Sequence, residues 1–204
     1  MQITWLGHAC FALESNGFRL ILDPYTDVPG CPELQLKAES VLCSHGHFDH
    51  CYTDAVTLEK GKESPFSVQT AKSFHDEKSG ALRGENTIHI LRAEGLTVVH
   101  MGDLGHRLDA SAVRRLRGCD ALMIPVGGTY TITGHEAAEL AELLQPRVVI
   151  PMHYRNERFG FDDITTLEPF LSHFPKGNVA FLDENTFELT ADSPCGVIVP
   201  AFCV

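Results

Sequence analysis

Within six residues, His45 to His50, the chain places three imidazoles and one carboxylate: Ser44-His45-Gly46-His47-Phe48-Asp49-His50. Imidazole nitrogens and carboxylate oxygens are donors that divalent metal ions take, and histidine is the commonest metal-binding side chain. His45 and His47 are two apart, so at an extended strand end they project to the same side; Asp49 and His50 follow on a turn and can face a neighbouring point. One segment can thus serve two metal ions. The competing account, a solvated histidine-rich loop, leaves that density of donors unexplained.

A complete site needs donors from elsewhere, and three further segments repeat one context, an apolar run that ends in His or Asp. Leu96-Thr97-Val98-Val99-His100-Met101-Gly102-Asp103 ends in Asp103, Val148-Val149-Ile150-Pro151-Met152-His153 in His153, and Ser67 through Phe74 in His75. Strand ends gathered at one sheet edge bring together side chains that are distant in sequence.

The elements that must position these residues are legible as short runs rich in Val, Ile, Leu and Phe bounded by Gly, Pro, Asn or Asp, which read as strands. They cover residues 3–6, 10–13, 18–22, 41–43, 67–74, 87–91, 96–100, 121–124, 148–150 and 179–182. Helical signals concentrate in the second half. Thr133 with Glu136 forms a capping-box pattern, Ala137, Leu140, Ala141 and Leu144 mark one face, and Pro146 stops it. A second helix starts at Asp109 as N-cap, carries Ala112, Val113 and Leu116 inward, and ends in Arg114, Arg115 and Arg117. A third is expected over about Phe161 to His173. Strands first, then strands mixed with helices, suggest sheets covered by helices.

The 204 residues are enough for a sizeable core and read as one domain over 1–204. A net charge of −11 argues against a long nucleic-acid partner, although a local cationic site could still hold one phosphate. The N-terminal segment has no basic stretch leading into an apolar one, and nowhere do eighteen apolar residues run together, so no membrane span and a cytoplasmic location are expected. Seven scattered cysteines without CxxC spacing fit neither a disulfide scaffold nor a zinc ribbon; most, Cys43 included, read as small buried apolar residues.

His45, His47, Asp49 and His50 match the HxHxDH signature, and the chain resembles the metallo-β-lactamase superfamily from Ile3 to about Leu182. Trp5-Leu6-Gly7-His8, Leu22-Asp23-Pro24-Tyr25, Gly102-Asp103-Leu104-Gly105-His106, Pro125 through Thr131 and Pro151-Met152-His153-Tyr154 are similar to a branch of zinc-dependent hydrolases related to ascorbate-6-phosphate lactonase. The resemblance implies an α+β fold, a four-layer αββα sandwich. It also implies two divalent ions: His45, His47 and His75 on the first, Asp49, His50 and His153 on the second, with Asp103 bridging. His75 competes with His89 and His100, which sit inside strand-like runs, and with an ordinary surface role in the polar turn His75-Asp76-Glu77-Lys78. Nitrogen and carboxylate donors suit zinc, and equally manganese or iron.

The implied activity is hydrolysis of a small polar or anionic metabolite, a lactone or phosphoester, with Asp49 also orienting the attacking water and accepting its proton. Asp23 resembles the aspartate that fixes a ligand histidine, with an ordinary turn before Pro24 as the alternative. His8 belongs near the metals or in a buried hydrogen bond. His106 reaches the reacting group or caps the following helix. Tyr130, Tyr154 and Arg155 are candidates for the pocket rim, whereas His135 and His173 read as solvated. Cys51-Tyr52-Thr53-Asp54 departs from the Gly-rich turn common after the signature. Rival readings are a phosphodiesterase or nuclease on small nucleotides and a di-metal redox or sensor module; the latter would carry an acidic ligand for one histidine and a flavin domain. A homo-oligomer is compatible with the resembling branch, and the apolar segment 194–204 could pack on a partner subunit or on its own core.

Overall fold

The computed structural model describes residues 1–202. The first half is strand and loop: β1 (Gln2–Gly7), β2 (Cys10–Ser15), β3 (Phe18–Leu22), β4 (Leu36–Ala38), β5 (Ser40–Leu42), β6 (Val56–Leu58), β7 (Ser67–Phe74), β8 (Glu85–Ala93) and β9 (Leu96–His100). The second half alternates: α1 (Ala110–Leu116), β10 (Ala121–Pro125), α2 (Gly134–Leu144), β11 (Val148–Met152), α3 (Glu168–Leu171), β12 (Val179–Phe181), β13 (Thr186–Glu188) and β14 (Gly196–Val199).

These form a five-stranded sheet ordered β13-β1-β2-β3-β5, a seven-stranded sheet ordered β12-β14-β11-β10-β9-β8-β7, and a small β4-β6 pair. The two large sheets meet face to face through one apolar core, with Ile3, Phe11, Leu13 and Leu20 from the first and Leu91, Val98, Ala121 and Met123 from the second. Strands β10 and β11 are buried along their whole length, the pattern of parallel strands covered on both faces.

The α+β sandwich expected from the sequence is what forms. On the larger sheet, α2 packs against β10 and carries Ala137, Ala138, Leu140, Ala141 and Leu144 into the core. Thr133 caps α2 in a complete capping box with Glu136, and Asp109 caps α1 by accepting from Ser111 N and Ala112 N. Over the smaller sheet the outer layer is thin: Cys10, Ala12 and Ile21 pack against Tyr25, Val28, Ala38 and Val56 rather than against a helix. Pro24, Pro29, Gly30 and Pro32 crowd that covering segment and break helical hydrogen bonding.

Two other expectations change, and of the two places expected for the C-terminal segment the chain's own core is the one seen. The helix expected over 161–173 is reduced to Glu168–Leu171, because Thr165 N donates to Gly127 O and Thr165 O accepts from Arg155 N; both backbone groups serve tertiary contacts instead. The C-terminal apolar segment enters the larger sheet as β14, between β11 and β12, with Val197 and Val199 in the core. Ala112 and Val113 are only half-buried, so α1 buries Leu116 alone. Among the described residues no helix is long and apolar enough to cross a membrane.

Candidate metal centre

The ligand segments hang from strand ends that point one way. In the larger sheet β9, β10 and β11 are parallel, and β7 runs antiparallel to β8, which runs antiparallel to β9, so β7 shares their direction. His75 follows β7, Asp103 follows β9 and His153 follows β11 at the same sheet edge. His45 to His50 follows β5 of the facing sheet. That segment bends rather than extends: His50 N and Cys51 N both donate to His47 O, and the turn folds the four donors back on themselves.

Two glycines let backbone and ligands come close. A Cβ on Gly127 would stand 2.1 Å from the carbonyl oxygen of His153, and one on Gly105 2.4 Å from the carbonyl carbon of His75. Only a residue without a side chain fits either approach.

Three groups of donors lie within metal-binding reach of one another: His45, His47 and His75; His8, Asp49, His50 and His153; and His45, His50 and Asp103. Ligand atoms about 2.0–2.1 Å from a tetrahedral ion stand about 3.3 Å from each other. The side chains meet near that spacing: His45 Nε2 to His47 Nδ1 is 3.0 Å, His50 Nε2 to Asp103 Oδ1 3.2 Å, and His8 Nε2 to Asp49 Oδ2 3.3 Å. Asp103 Oδ2 lies 3.1 Å from His75 Nε2 and 3.3 Å from His153 Nε2, so one oxygen touches both histidine clusters. His50 Nε2 and Asp103 Oδ1 are buried without a hydrogen-bond partner despite their proximity. Two such orphaned donors aimed at one point fit a cation.

The opposite ring nitrogens are fixed from behind. Asp23 is fully buried; its Oδ2 accepts from His50 Nδ1 at 2.7 Å and from Ser44 Oγ at 2.5 Å, and its Oδ1 accepts from Ser44 N at 2.7 Å. His75 Nδ1 donates to Tyr130 O at 2.9 Å, and His45 Nδ1 lies 3.0 Å from Ser44 Oγ. Such partners set the tautomer that leaves Nε2 free.

Electrostatics agree with this division of labour. Burial, with the nearby His50 charge, brings His45 down to about 3, and burial with His153 brings His8 down to about 4, so both are neutral near pH 7. Burial alone would raise Asp103, but the nearby charges of His153 and His50 hold it well below the carboxylate range. Burial likewise opposes charge on His50, yet Asp103 and Asp23 raise it strongly. The buried carboxylates thus demand positive charge here, which a metal cation meets.

These side chains open into a cavity of about 380 Å³ lined by His47, Phe48, Asp49, His75, Arg83, Asp103, Tyr130, His153 and Phe161. Of the residues singled out in the sequence, His45, His47, Asp49, His50, His75, Asp103 and His153 converge as expected. His8 joins them through Asp49, and Tyr130 lines the cleft. His89 and His100 are occupied elsewhere, donating to Cys43 O and Ala9 O.

His106 takes neither of its expected places. Its Nε2 accepts from Phe74 N and its Nδ1 donates to Arg107 O, in a separate groove with Leu108 and Ile132. Tyr154 is buried in a stack with Trp5, and Arg155 Nε donates to Ile164 O, so neither lines the metal cleft. His135 and His173 are exposed but meet each other at 2.6 Å.

The cysteines divide. Cys10 and Cys119 are buried and free, as expected, whereas Cys31 is half-buried and Cys195 exposed. Cys43 is not a core residue: it is joined to Cys51 in a disulfide, Cα atoms 5.3 Å apart, because the ligand turn closes on itself between them. Cys203 lies outside the described residues. Phe48, Arg83 and Phe161 were not visible as site residues in the sequence. Phe48 had a signal, an aromatic residue between two ligands; Arg83 and Phe161 sit in aperiodic loops that carry none.

A family model for the β-lactamase superfamily domain matches residues 2–153. A UPF0173 metal-dependent hydrolase of Pyrobaculum islandicum is 30% identical over 190 residues, covering 76% of this chain and 84% of that one. Another from Archaeoglobus fulgidus is 30% identical over 195 residues, covering 76% and 83%. A crystal structure from Thermotoga maritima, described as a candidate Zn-dependent hydrolase of the superfamily, shares 33% identity and 97% of each chain at a TM-score of 0.77. The relatives' names give no substrate, and none of these names is that of the lactonase. With the buried His/Asp clusters already in place, these likenesses make the chain a metal-dependent hydrolase belonging to the metallo-β-lactamase superfamily, among the UPF0173 proteins.

Proposed function

We propose that the chain is a dinuclear metal-dependent hydrolase, cleaving a lactone or phosphoester bond in a small polar or anionic metabolite. The observation that carries this reading is the position of Asp103, whose Oδ2 reaches His75 of one cluster and His153 of the other. His45, His47 and His75 would hold one ion, Asp49, His50 and His153 the second, and Asp103 both. Zinc suits this donor set and appears in the Thermotoga maritima protein's description, while manganese and iron accept the same donors. A bound pair of such ions supplies Lewis acidity and a water of lowered pKa.

The chain's own groups do the rest. Asp49 lines the cleft, and its carboxylate is kept ionised: burial opposes the charge, but the His8 hydrogen bond and the His50 charge outweigh it. Neutral His8 donates through Nε2 to Asp49 Oδ2, which fixes the carboxylate and leaves Oδ1 to accept a proton from the attacking water. Asp23 holds His50 by its outer nitrogen so that the inner one faces Asp103.

The test is metal content by elemental analysis of wild type, Asp103→Ala and His75→Ala, with a hydrolase screen over sugar lactones, phosphodiesters and phosphomonoesters. Close to two ions per chain, reduced in both variants together with activity, is the expected result. Full occupancy and activity in His75→Ala, or no stoichiometric metal after metal-supplemented expression, would overturn it.

A further inference from the structure

The two flanks of the cleft differ in chemistry. On the His75 side, Tyr130 accepts from His75 through its carbonyl, and Arg83 lies over the Tyr130 ring with its guanidinium carbon 5.5 Å from the ring centroid. Among the described residues the Arg83 guanidinium makes no ion pair and no hydrogen bond, only its backbone N–H being engaged, so its five N–H donors face the cleft and solvent uncommitted. Its placement is nonetheless built. The buried Asp76 carboxylate accepts from the backbone N–H of Lys78, Gly80, Leu82 and Arg83 itself, and the Tyr130 hydroxyl donates to Asp163. A cation held in a metal cleft without an ion-pair partner of its own is suited to an anionic group on the ligand.

On the His153 side the wall is apolar. His8 lies 4.2 Å from His153 between ring centroids, Phe161 meets His8 edge-on at 5.6 Å, and Phe48 meets Phe161 edge-on at 6.4 Å. Phe48 is 54% exposed although it sits between two metal ligands. An exposed ring at the mouth of a cleft, backed by a second ring, offers a face for a flat or bulky apolar group.

We infer that the substrate is an amphiphilic anion: a carboxylate or phosphoryl group bound by Arg83 on one flank, an aryl-sized apolar group on Phe48 and Phe161 on the other, and the scissile bond between them over Asp103. This deepens the dinuclear hydrolase reading and rests on it. A purely polar sugar derivative would leave the Phe48 and Phe161 wall facing ligand hydroxyls, and a neutral apolar ester would leave Arg83 without a partner.

The test is isothermal titration of the metal-loaded chain with two probe pairs, phenylphosphonate against methylphosphonate and phenylacetate against acetate. The aryl member of at least one pair is expected to bind about 10-fold more tightly, the yield of covering one ring. Arg83→Ala is expected to weaken that aryl probe roughly 10- to 100-fold, the range of hydrogen bonds to a charged group. Phe48→Ala, a truncation of an exposed side chain, is expected to erase the aryl advantage. Loss confined to the phosphonate identifies a phosphoryl anion, loss confined to the carboxylate a carboxylic acid, and both support the inference. Unchanged affinity in Arg83→Ala, or no advantage for either ring, overturns it. Metal content of the same samples separates the failures: ions retained with those results refutes the amphiphilic anion alone, and no ions retained refutes the dinuclear reading as well.

Discussion

Asp23 gives the sharpest test of how the protein prepares its donors. It takes a left-handed backbone conformation, φ +45°, so an alanine there would add roughly 1–2 kcal/mol of backbone cost unrelated to the site. Asparagine tolerates that conformation and preserves the shape. In Asp23→Asn the amide oxygen can keep the bond from Ser44 N, but an NH2 group then replaces Oδ2 and faces two donors, His50 Nδ1 and Ser44 Oγ. The His50 proton is no longer held on Nδ1, and the tautomer with Nε2 free loses its preference. Loss of one such partner typically lowers metal affinity 10- to 100-fold, about 1.4–2.7 kcal/mol, from the cluster that contains His50. Competition with a chromogenic chelator measures this directly, with circular dichroism as the check on folding. On the proposed dinuclear reading, one ion should leave early and the other near its wild-type rate. A folded Asp23→Asn chain that holds both ions with wild-type affinity would refute the claim that Asp23 orients His50.

Three further outcomes are expected. Asp76→Asn removes the charge that gathers four backbone N–H groups, so amide exchange should accelerate across residues 78–83 and the aryl anion probe should bind more weakly. Burial opposes the Asp76 charge, but those donors bring it down to about 2; the loop's order is therefore fully present above the ordinary carboxylate value near 4 and is lost as pH falls through about 2, readable by amide exchange against pH. Gly127→Ala forces its new Cβ against the His153 carbonyl; we expect destabilisation of about 1–3 kcal/mol in chemical denaturation and lowered metal content, as the proposed ligand role of His153 requires. Thr133→Ala breaks the capping box of α2 and should cost about 1 kcal/mol, a melting shift of roughly 2–4 °C by calorimetry, with metal content unchanged.

Much of the centre was legible because each ligand stands at a change in local pattern. Apolar runs ending in His75, Asp103 and His153 announce strands that stop at a site, and Asp109 and Thr133 announce helix starts by side-chain chemistry that acts within a few residues. What escaped depends on contacts between segments far apart. The strands β4, β6 and β13 are three residues each, too short for alternation to show, and β14 exists because a slot beside β11 is open. Residues 161–167 look helical in composition, yet Gly127 and Arg155 claim the backbone of Thr165. Arg83 was invisible for the same reason, since its place follows from Asp76 folding a loop around one carboxylate. His106 misled because proximity in sequence to Asp103 says nothing about Phe74, whose backbone it serves.

The distribution of roles over the chain has an evolutionary consequence. The proposed metal donors follow strand ends, so changing one would disturb the site and the sheet edge together. Arg83 and Phe161 stand on loops apart from those strand ends, and substitutions there touch few of the buried contacts that hold the sandwich closed, whereas Phe48 shares the turn of His47 and Asp49. Mutations on these loops should combine nearly independently with mutations in the core. A lineage built on this scaffold can therefore exchange one substrate for another in small steps while the hydrolytic machinery stays fixed.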